Sequence, residues 1–220
     1  MHNRELILKK VLNGLIATKV IDVGCADGGY LPLLSNHLNS SLVVGVDLAQ
    51  NELHLAKRHK VHFNSEYARV DVTALPFRTT TFDLIFSKDL LHHLSNPLRA
   101  LYEFKRVLKP NGAMVIVEAE RNNSLMRMYI KHGHNHYTLT QLSVLVKRAE
   151  LKDFKVKQVS AYPHHFLFWS GKPIEVLWDL CVIIVLSFCY IFPSATKFLV
   201  KLFSSMTSHS YNAILWRQEH

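Results

Sequence analysis

Val20-Ile21-Asp22-Val23-Gly24-Cys25-Ala26-Asp27-Gly28-Gly29-Tyr30-Leu31-Pro32-Leu33-Leu34 is the most informative stretch of this chain. The β-branched run Val20, Ile21 and Val23 has the length and composition of one buried strand. It stops at Gly24, and small or turn-forming residues continue through Gly29. Apolar periodicity then resumes at Tyr30, Leu31, Leu33 and Leu34, as on a helix. Strand, glycine-rich turn and helix together bring a ligand against backbone N–H groups at a helix N-terminus.

Two ligand classes fit this element. Gly24, Ala26 and Gly29 have G-x-A-x-x-G spacing, and Asp47 ends a second strand-like run, Leu42 to Val46. That pattern approaches a dinucleotide fingerprint. Asp22 points elsewhere. A carboxylate inside the strand would repel a pyrophosphate, whereas a ligand carrying an ammonium or sulfonium group would welcome it. The element alone leaves both open.

Outward from this stretch, strands and helices alternate. Arg4 to Ile16 reads as an amphipathic helix through Leu6, Ile7, Val11, Leu12 and Leu15. Helices are expected over Tyr30–His37, Gln50–His59, Leu98–Leu108 and Thr140–Glu150. Strands are expected over Leu42–Asp47, Glu66–Val70, Phe82–Phe86, Ala113–Glu118, Phe154–Val159 and Tyr211–Trp216. Pro110-Asn111-Gly112 is breaker chemistry between helix and strand. Such alternation argues for a parallel α/β sheet with right-handed crossovers.

The chain of 220 residues, with 49% apolar and 20% charged side chains, suits one domain with a sizeable core. A net charge of +9 fits an anionic partner or simply a basic surface, and no dense Lys/Arg tract decides between them. Cys25, Cys181 and Cys189 form neither a disulfide framework nor a zinc cluster, so a reduced cytoplasmic setting is expected. The first residues lack the apolar core of a signal peptide.

Asp22-Val23-Gly24-Cys25-Ala26-Asp27-Gly28 resembles motif I of the class I S-adenosylmethionine-dependent methyltransferases, D/E-x-G-x-G-x-G. The resemblance continues in order through Asp47, through Arg69-Val70-Asp71-Val72-Thr73-Ala74-Leu75-Pro76-Phe77, and through Phe82-Asp83-Leu84-Ile85-Phe86-Ser87. It ends with Leu90-Leu91-His92-His93-Leu94 and Leu108-Lys109-Pro110-Asn111-Gly112-Ala113, covering about residues 18–120. It implies an α/β, Rossmann-like, doubly wound, seven-stranded and mostly parallel sheet of order 3-2-1-4-5-7-6. Residues 1–220 would form one methyltransferase domain, with an apolar helical insertion at 174–206 before the last strand. The implied cofactor is S-adenosyl-L-methionine, leaving S-adenosyl-L-homocysteine, with no metal. The implied cofactor residues are Asp22, Gly24, Cys25, Ala26, Gly28, Asp47, Leu48, Asp71, Val72 and Ser87. In the family the acid matching Asp47 bonds the ribose hydroxyls, and the acid matching Asp71 contacts the adenine. Each also has a local reading, Asp47 as cap of the next helix and Asp71 as maker of the turn before Pro76. Ala26 departs from the pattern at its second glycine, where a methyl narrows the backbone approach.

Near the C-terminus, Leu180 to Thr196 carries no charge. With Ile174 to Trp178 it approaches membrane-spanning length. Glu175, Asp179 and Pro193 oppose a clean span, and a last strand at Tyr211–Trp216 requires the chain to return to the same side. Two helices, about Ile174–Phe192 and Ser194–Ser204, satisfy both conditions. They would cover the substrate mouth, lie peripherally on the cytoplasmic membrane face with Lys197 and Lys201 at headgroup level, or pack as ordinary core.

A sulfonium methyl is already electrophilic, so the protein must bind it, align an acceptor and exclude water. For a hydroxyl acceptor a histidine base is the natural choice. His93 ranks first, then His92, then His136 with Tyr137, then His164 and His165. His132, His134 and His136 lack a partnered Cys or acid at metal-ligand spacing. The Asn/Asp-Pro-Pro-Tyr/Phe element of amino-group methylases is absent after Phe86, and no cysteine lies between Cys25 and Cys181. Methyl transfer to a small, hydrophobic or lipid-like acceptor is therefore expected. Nucleic acid is the less favoured substrate, and a silent methyltransferase-like scaffold is the competing non-enzymatic reading.

Overall fold

The computed structural model describes residues 2–58, 64–120, 136–152, 154–161 and 209–217. The elements in chain order are α1 (His2–Val11), β1 (Lys19–Val23), α2 (Leu31–Leu38), β2 (Leu42–Asp47), α3 (Gln50–Arg58) and β3 (Ser65–Arg69). They continue with β4 (Phe82–Lys88), α4 (Pro97–Val107), β5 (Leu108–Ala119), α5 (Leu139–Arg148), β6 (Lys155–Ala161) and β7 (His209–Arg217). A short 3-10 turn, Leu91–His93, follows β4. The seven strands form one sheet of order β3-β2-β1-β4-β5-β7-β6, the order implied by the resemblance. β1 pairs in parallel with β2 and β4, while β7 runs antiparallel to both β5 and β6.

The central strands are apolar on both faces because helices cover both. On one side Ile7, Leu8 and Val11 of α1, Leu12 just after it, and Leu31 and Leu34 of α2 pack with Val20, Leu84, Phe86, Val115 and Val117. On the other, Leu101 and Phe104 of α4 and Leu142 and Val146 of α5 pack with Ile21, Val23, Ile85, Met114 and Ile116. Each such fully enclosed Leu, Ile or Phe contributes about 1.5–3 kcal/mol relative to exposure. The helix starts are set by local chemistry. Asn96 accepts a hydrogen bond from the Arg99 N–H with Pro97 in the first turn, and Thr138 and Gln141 form a capping box on α5.

Two boundaries differ from the sequence-based expectation by more than a residue or two. α1 ends at Val11 rather than Ile16, because Gly14 adopts φ +76° and turns the chain out of the helix; Ile16 is left 92% exposed. β5 begins at Leu108, before the Pro-Asn-Gly turn rather than after it. Its pairing with β4 slips between Phe82↔Leu108 and Leu84↔Ala113, and Asn111 sits at φ +63° within that bulge. Residues 174–206, with the two apolar helices expected there, lie outside the described residues.

β1 has β2 on one side and β4 on the other, so the chain leaves it in opposite directions at its carboxyl end. Doubly wound sheets hold ligands in that crevice. At the opposite, amino end, Asp83 locks β1 to β4. Its Oδ2 accepts from Thr18 N, Thr18 Oγ1 and Lys19 N at 3.2, 2.7 and 2.8 Å, and its Oδ1 from Lys109 Nζ at 2.7 Å.

Candidate active site

The turn after β1 is held by main-chain bonds. Gly24 N and Cys25 N donate to Val46 O at 2.8 and 3.0 Å, and Gly28 N donates to Cys25 O at 2.9 Å. Gly24 and Gly28 sit at φ +77° and +72°. A Cβ on Gly24 would come within 2.9 Å of Leu90 Cδ1, and one on Gly28 within 2.8 Å of Tyr67 Cε1, so glycine is required twice over. Ala26 also lies in the left-handed region, at φ +45°. The loop thus keeps the backbone of the glycine pattern and carries a methyl there, at an expense of about 1–2 kcal/mol.

Beneath this loop lies Asp22, only 2% exposed, and its Oδ2 has no hydrogen-bond partner among the described residues. Burial pushes its carboxyl up to about 8, opposed by the Arg4 charge and reinforced by Asp47 and Asp27. An orphaned buried carboxylate oxygen is destabilising by about 1–3 kcal/mol, and a ligand ammonium would supply the missing donor. Arg4 reaches the same place from α1. Its Nη2 lies 3.2 Å from Asp27 Oδ2, its Cζ lies 5.4 Å from the Tyr30 ring centroid, and its Nη1 fills the space where a Cβ on Gly29 would stand.

Asp47 accepts two main-chain hydrogen bonds, one on each side of the crevice. Its Oδ2 accepts from Ala26 N and its Oδ1 from Ala49 N, each at 2.8 Å, so it ties the β1 turn to the start of α3. Beside it Leu48 is 59% exposed, an apolar face at the crevice rim. Asp71 makes a turn, its Oδ1 accepting from Thr73 N and Thr73 Oγ1 at 2.8 Å, and those bonds hold its carboxyl below the usual range. Arg106 steadies the same segment through Leu75 O and Phe77 O, both at 2.8 Å. The side chains of Cys25 and Val72 turn into the core, and Ser87 is wholly enclosed. Burial pushes the Cys25 thiol up. The side chains of these three residues, expected at the cofactor, are thus enclosed beneath the turn.

The histidines gather at the carboxyl ends of β4 and β5. His92 is buried with Nδ1 2.7 Å from Glu118 Oε2, while Glu118 Oε1 accepts from Leu90 N and Leu91 N at 3.0 and 2.7 Å. Burial raises the Glu118 carboxyl's affinity for protons, with the His92 hydrogen bond opposing. The His136 ring stacks on His92 at 4.2 Å between centroids, and His93, exposed, lies 4.1 Å from His92 on a tilted plane. Asp89, His92 and Glu118 place ligand-type atoms within 4.8 Å of one another, a set that could hold a metal ion. Both Glu118 oxygens are, however, already engaged by His92 and two main-chain N–H groups. His132, His134, His164, His165, Cys181 and Cys189 lie outside the described residues.

A methyltransferase-domain family model matches residues 21–116, the whole span from the Asp22 strand to the middle of β5. These residues form a methyltransferase domain of the class I, S-adenosylmethionine-dependent type. This methyltransferase is 28% identical over 186 residues to a ubiquinone biosynthesis O-methyltransferase of Glaesserella parasuis, covering 74% of this chain and 77% of that one. A Haemonchus contortus phosphoethanolamine N-methyltransferase 2, solved with S-adenosyl-L-methionine, superimposes with TM-score 0.67 at 22% identity, over 100% of this chain and 53% of that one. An Aquifex aeolicus SAM-dependent methyltransferase superimposes with TM-score 0.56 at 26% identity, over 70% and 81% of the two chains. The dinucleotide reading of the glycine turn is thereby set aside.

Sequence reasoning brought Asp22, Gly24, Ala26, Gly28, Asp47 and Leu48 to the methyltransferase crevice. It missed Arg4, whose helix carried only a core-packing signal, and Glu118, which was legible as a lone acid in the apolar run Ala113–Ala119. Among the described residues no helix is long and apolar enough to cross a membrane.

Proposed function

We propose that this enzyme transfers the methyl group to a hydroxyl oxygen of a small, apolar or lipid-like acceptor. The observation that carries the reading is the Glu118–His92 pair, buried at the carboxyl edge of the sheet beside the cofactor turn. A carboxylate on Nδ1 orients an imidazole and stabilises the imidazolium it becomes, the arrangement that removal of a hydroxyl proton needs. Relatives named ubiquinone biosynthesis O-methyltransferases, at 24–28% identity over 74% of the chain, support an oxygen acceptor of small size.

S-adenosylmethionine, when bound, supplies a methyl already activated on a sulfonium. The chain's residues bind and aim it. Asp22 would hold the ammonium of its amino-acid end and Arg4 its carboxylate. Gly24, Ala26 and Gly28 allow close backbone approach. Asp47 would serve the ribose, and Leu48 and the Asp71 turn would receive the adenine. His92 holds the proton leaving the acceptor, with His93 and His136 packed on its two sides. No metal is assigned to the site. The apolar stretch 174–206 is assigned to the acceptor's hydrophobic portion or to the lipid surface that delivers it.

The test is incubation of the purified enzyme with labelled S-adenosylmethionine and apolar hydroxyl compounds, with chelator present. An O-methylated product is expected, formed about 100-fold more slowly by His92→Ala. Asp47→Ala is expected to weaken S-adenosylhomocysteine binding in calorimetry. Absence of transfer to any hydroxyl acceptor overturns the reading.

A further inference from the structure

Lys88 is the last residue of β4, and in the parallel register it follows Ser87, the partner of Val23. Its main chain therefore stands beside Gly24, at the point where the strand order reverses. Strand alternation puts its side chain on the face of Leu84 and Phe86, the face of α1 and α2. The side chain is only 16% exposed. Long lysine stems at a strand end ordinarily extend their ammonium into water, and burying that charge is costly unless it is paired.

Three neighbours share the place. Asp89 forms an ion pair with Lys88 Nζ, and its other oxygen accepts from Ala119 N at 3.0 Å, which fixes the carboxylate. The Tyr211 ring of β7 lies 4.7 Å from Nζ. Tyr30, at the start of α2, packs against Phe86 with centroids 5.2 Å apart. Burial alone would weaken the ammonium's hold on its proton, but Asp89 and the two tyrosines outweigh it and raise the pKa above the ordinary lysine value. Its pairing with Asp89 favours the ammonium form. An ammonium offers three donors; among the described residues Asp89 and the Tyr211 hydroxyl each take one, and the Tyr211 ring lies beside them.

We infer that Lys88 is the acceptor-oxygen subsite of this enzyme: its ammonium, steadied by Asp89, holds the oxygen that receives the methyl, between the aromatic walls of Tyr30 and Tyr211. The inference rests on the oxygen-acceptor reading above and adds to it a selecting residue and an acceptor class, aromatic hydroxyls. A fixed cation stabilises developing negative charge on a phenol oxygen and repels the protonated form of an amine. In the transfer step the acceptor O–H proton passes to His92. The oxygen's electron pair forms the O–CH3 bond as the S–CH3 bond breaks, and the sulfonium becomes a neutral thioether. The positive charge lost at sulfur reappears on the imidazole, and Lys88 keeps its proton throughout.

The experiment compares wild type, Lys88→Met and Lys88→Arg on substituted phenols of graded acidity and on ring-matched benzylamines, with S-adenosylhomocysteine affinity as the check on folding. Wild type should methylate the phenols and leave the amines. Lys88→Met should lose about 100-fold in kcat/KM on the least acidic phenol and far less on phenols already ionised, with cofactor affinity unchanged and Lys88→Arg intermediate. A uniform loss across the phenol series, or none, overturns the Lys88 assignment alone. Failure of wild type to methylate any phenol overturns both. If Lys88→Met does not fold, the charge-retaining Lys88→Arg decides: an altered dependence on phenol acidity supports the assignment, and an unaltered one removes it.

Discussion

Asp22 and Asp83 are aspartates on adjacent strands of one sheet, at opposite ends, and they have opposite fates. Asp83 is surrounded by donors: Thr18 N and Oγ1, Lys19 N and Lys109 Nζ. Although burial opposes it, these bonds hold its carboxyl down to about 2. Asp22 is more deeply buried, keeps an oxygen without a donor among the described residues, and is pushed up to about 8. An acid ringed by donors stabilises the fold. A buried acid short of donors weakens the fold and reserves its charge for a ligand.

The largest expected effect tests that reserve. Binding a cationic ligand group requires Asp22 to ionise, so S-adenosylmethionine affinity should rise with pH by up to about tenfold per unit below pH 8 and level off above it. Asp22→Asn should remove this dependence and lower affinity about 10–100-fold, the value of a charge-assisted hydrogen bond; calorimetry across pH reads both. A flat affinity profile in wild type would break the comparison.

Stability should move the other way. The folded pKa of Asp22 lies above its unfolded value of 3.8, so between about pH 4 and 8 the folded state binds more protons and loses stability as pH rises. Ligand-free Asp22→Asn should therefore unfold at a higher temperature than wild type at pH 8, and the gain should vanish near pH 4. For Asp83 the folded pKa lies below 3.8, so its contribution is present above that value and lost as pH falls towards 2. Asp83→Ala should destabilise by about 2 kcal/mol, lowering Tm by roughly 4–8 °C, with cofactor affinity unchanged. The smallest effect is expected for Lys109→Met, about 1 kcal/mol, because three of the four Asp83 donors remain.

The same contrast shows how far the sequence could be read. Asp22 was legible because a lone acid in a β-branched strand before glycines has few purposes. Asp83, within Phe82-Asp83-Leu84-Ile85-Phe86, was legible only as a member of an ordered pattern. Its donors lie 65 residues earlier and 26 residues later in the chain. The end of α1 was misread because apolar spacing continued through Leu15 while Gly14 turned the backbone. Cys25, Val72 and Ser87 sat at the right positions, but a strand or turn residue's direction depends on which layer covers it.

By itself the sequence determined the order of elements, the glycine turn, the buried acid and the ordered pattern of a methyltransferase. These are properties of short segments, where apolar period, turn residues and φ requirements act locally. Only the tertiary structure decided what surrounds each charge. Folding left Asp22 Oδ2 without a donor among the described residues and joined Arg4 to the turn it precedes by some twenty residues. It also enclosed Glu118 beside His92 and turned Lys88 between two tyrosines. Burial and pairing set the energy of an ionised group, and both are sums over neighbours that the chain assembles from distant positions.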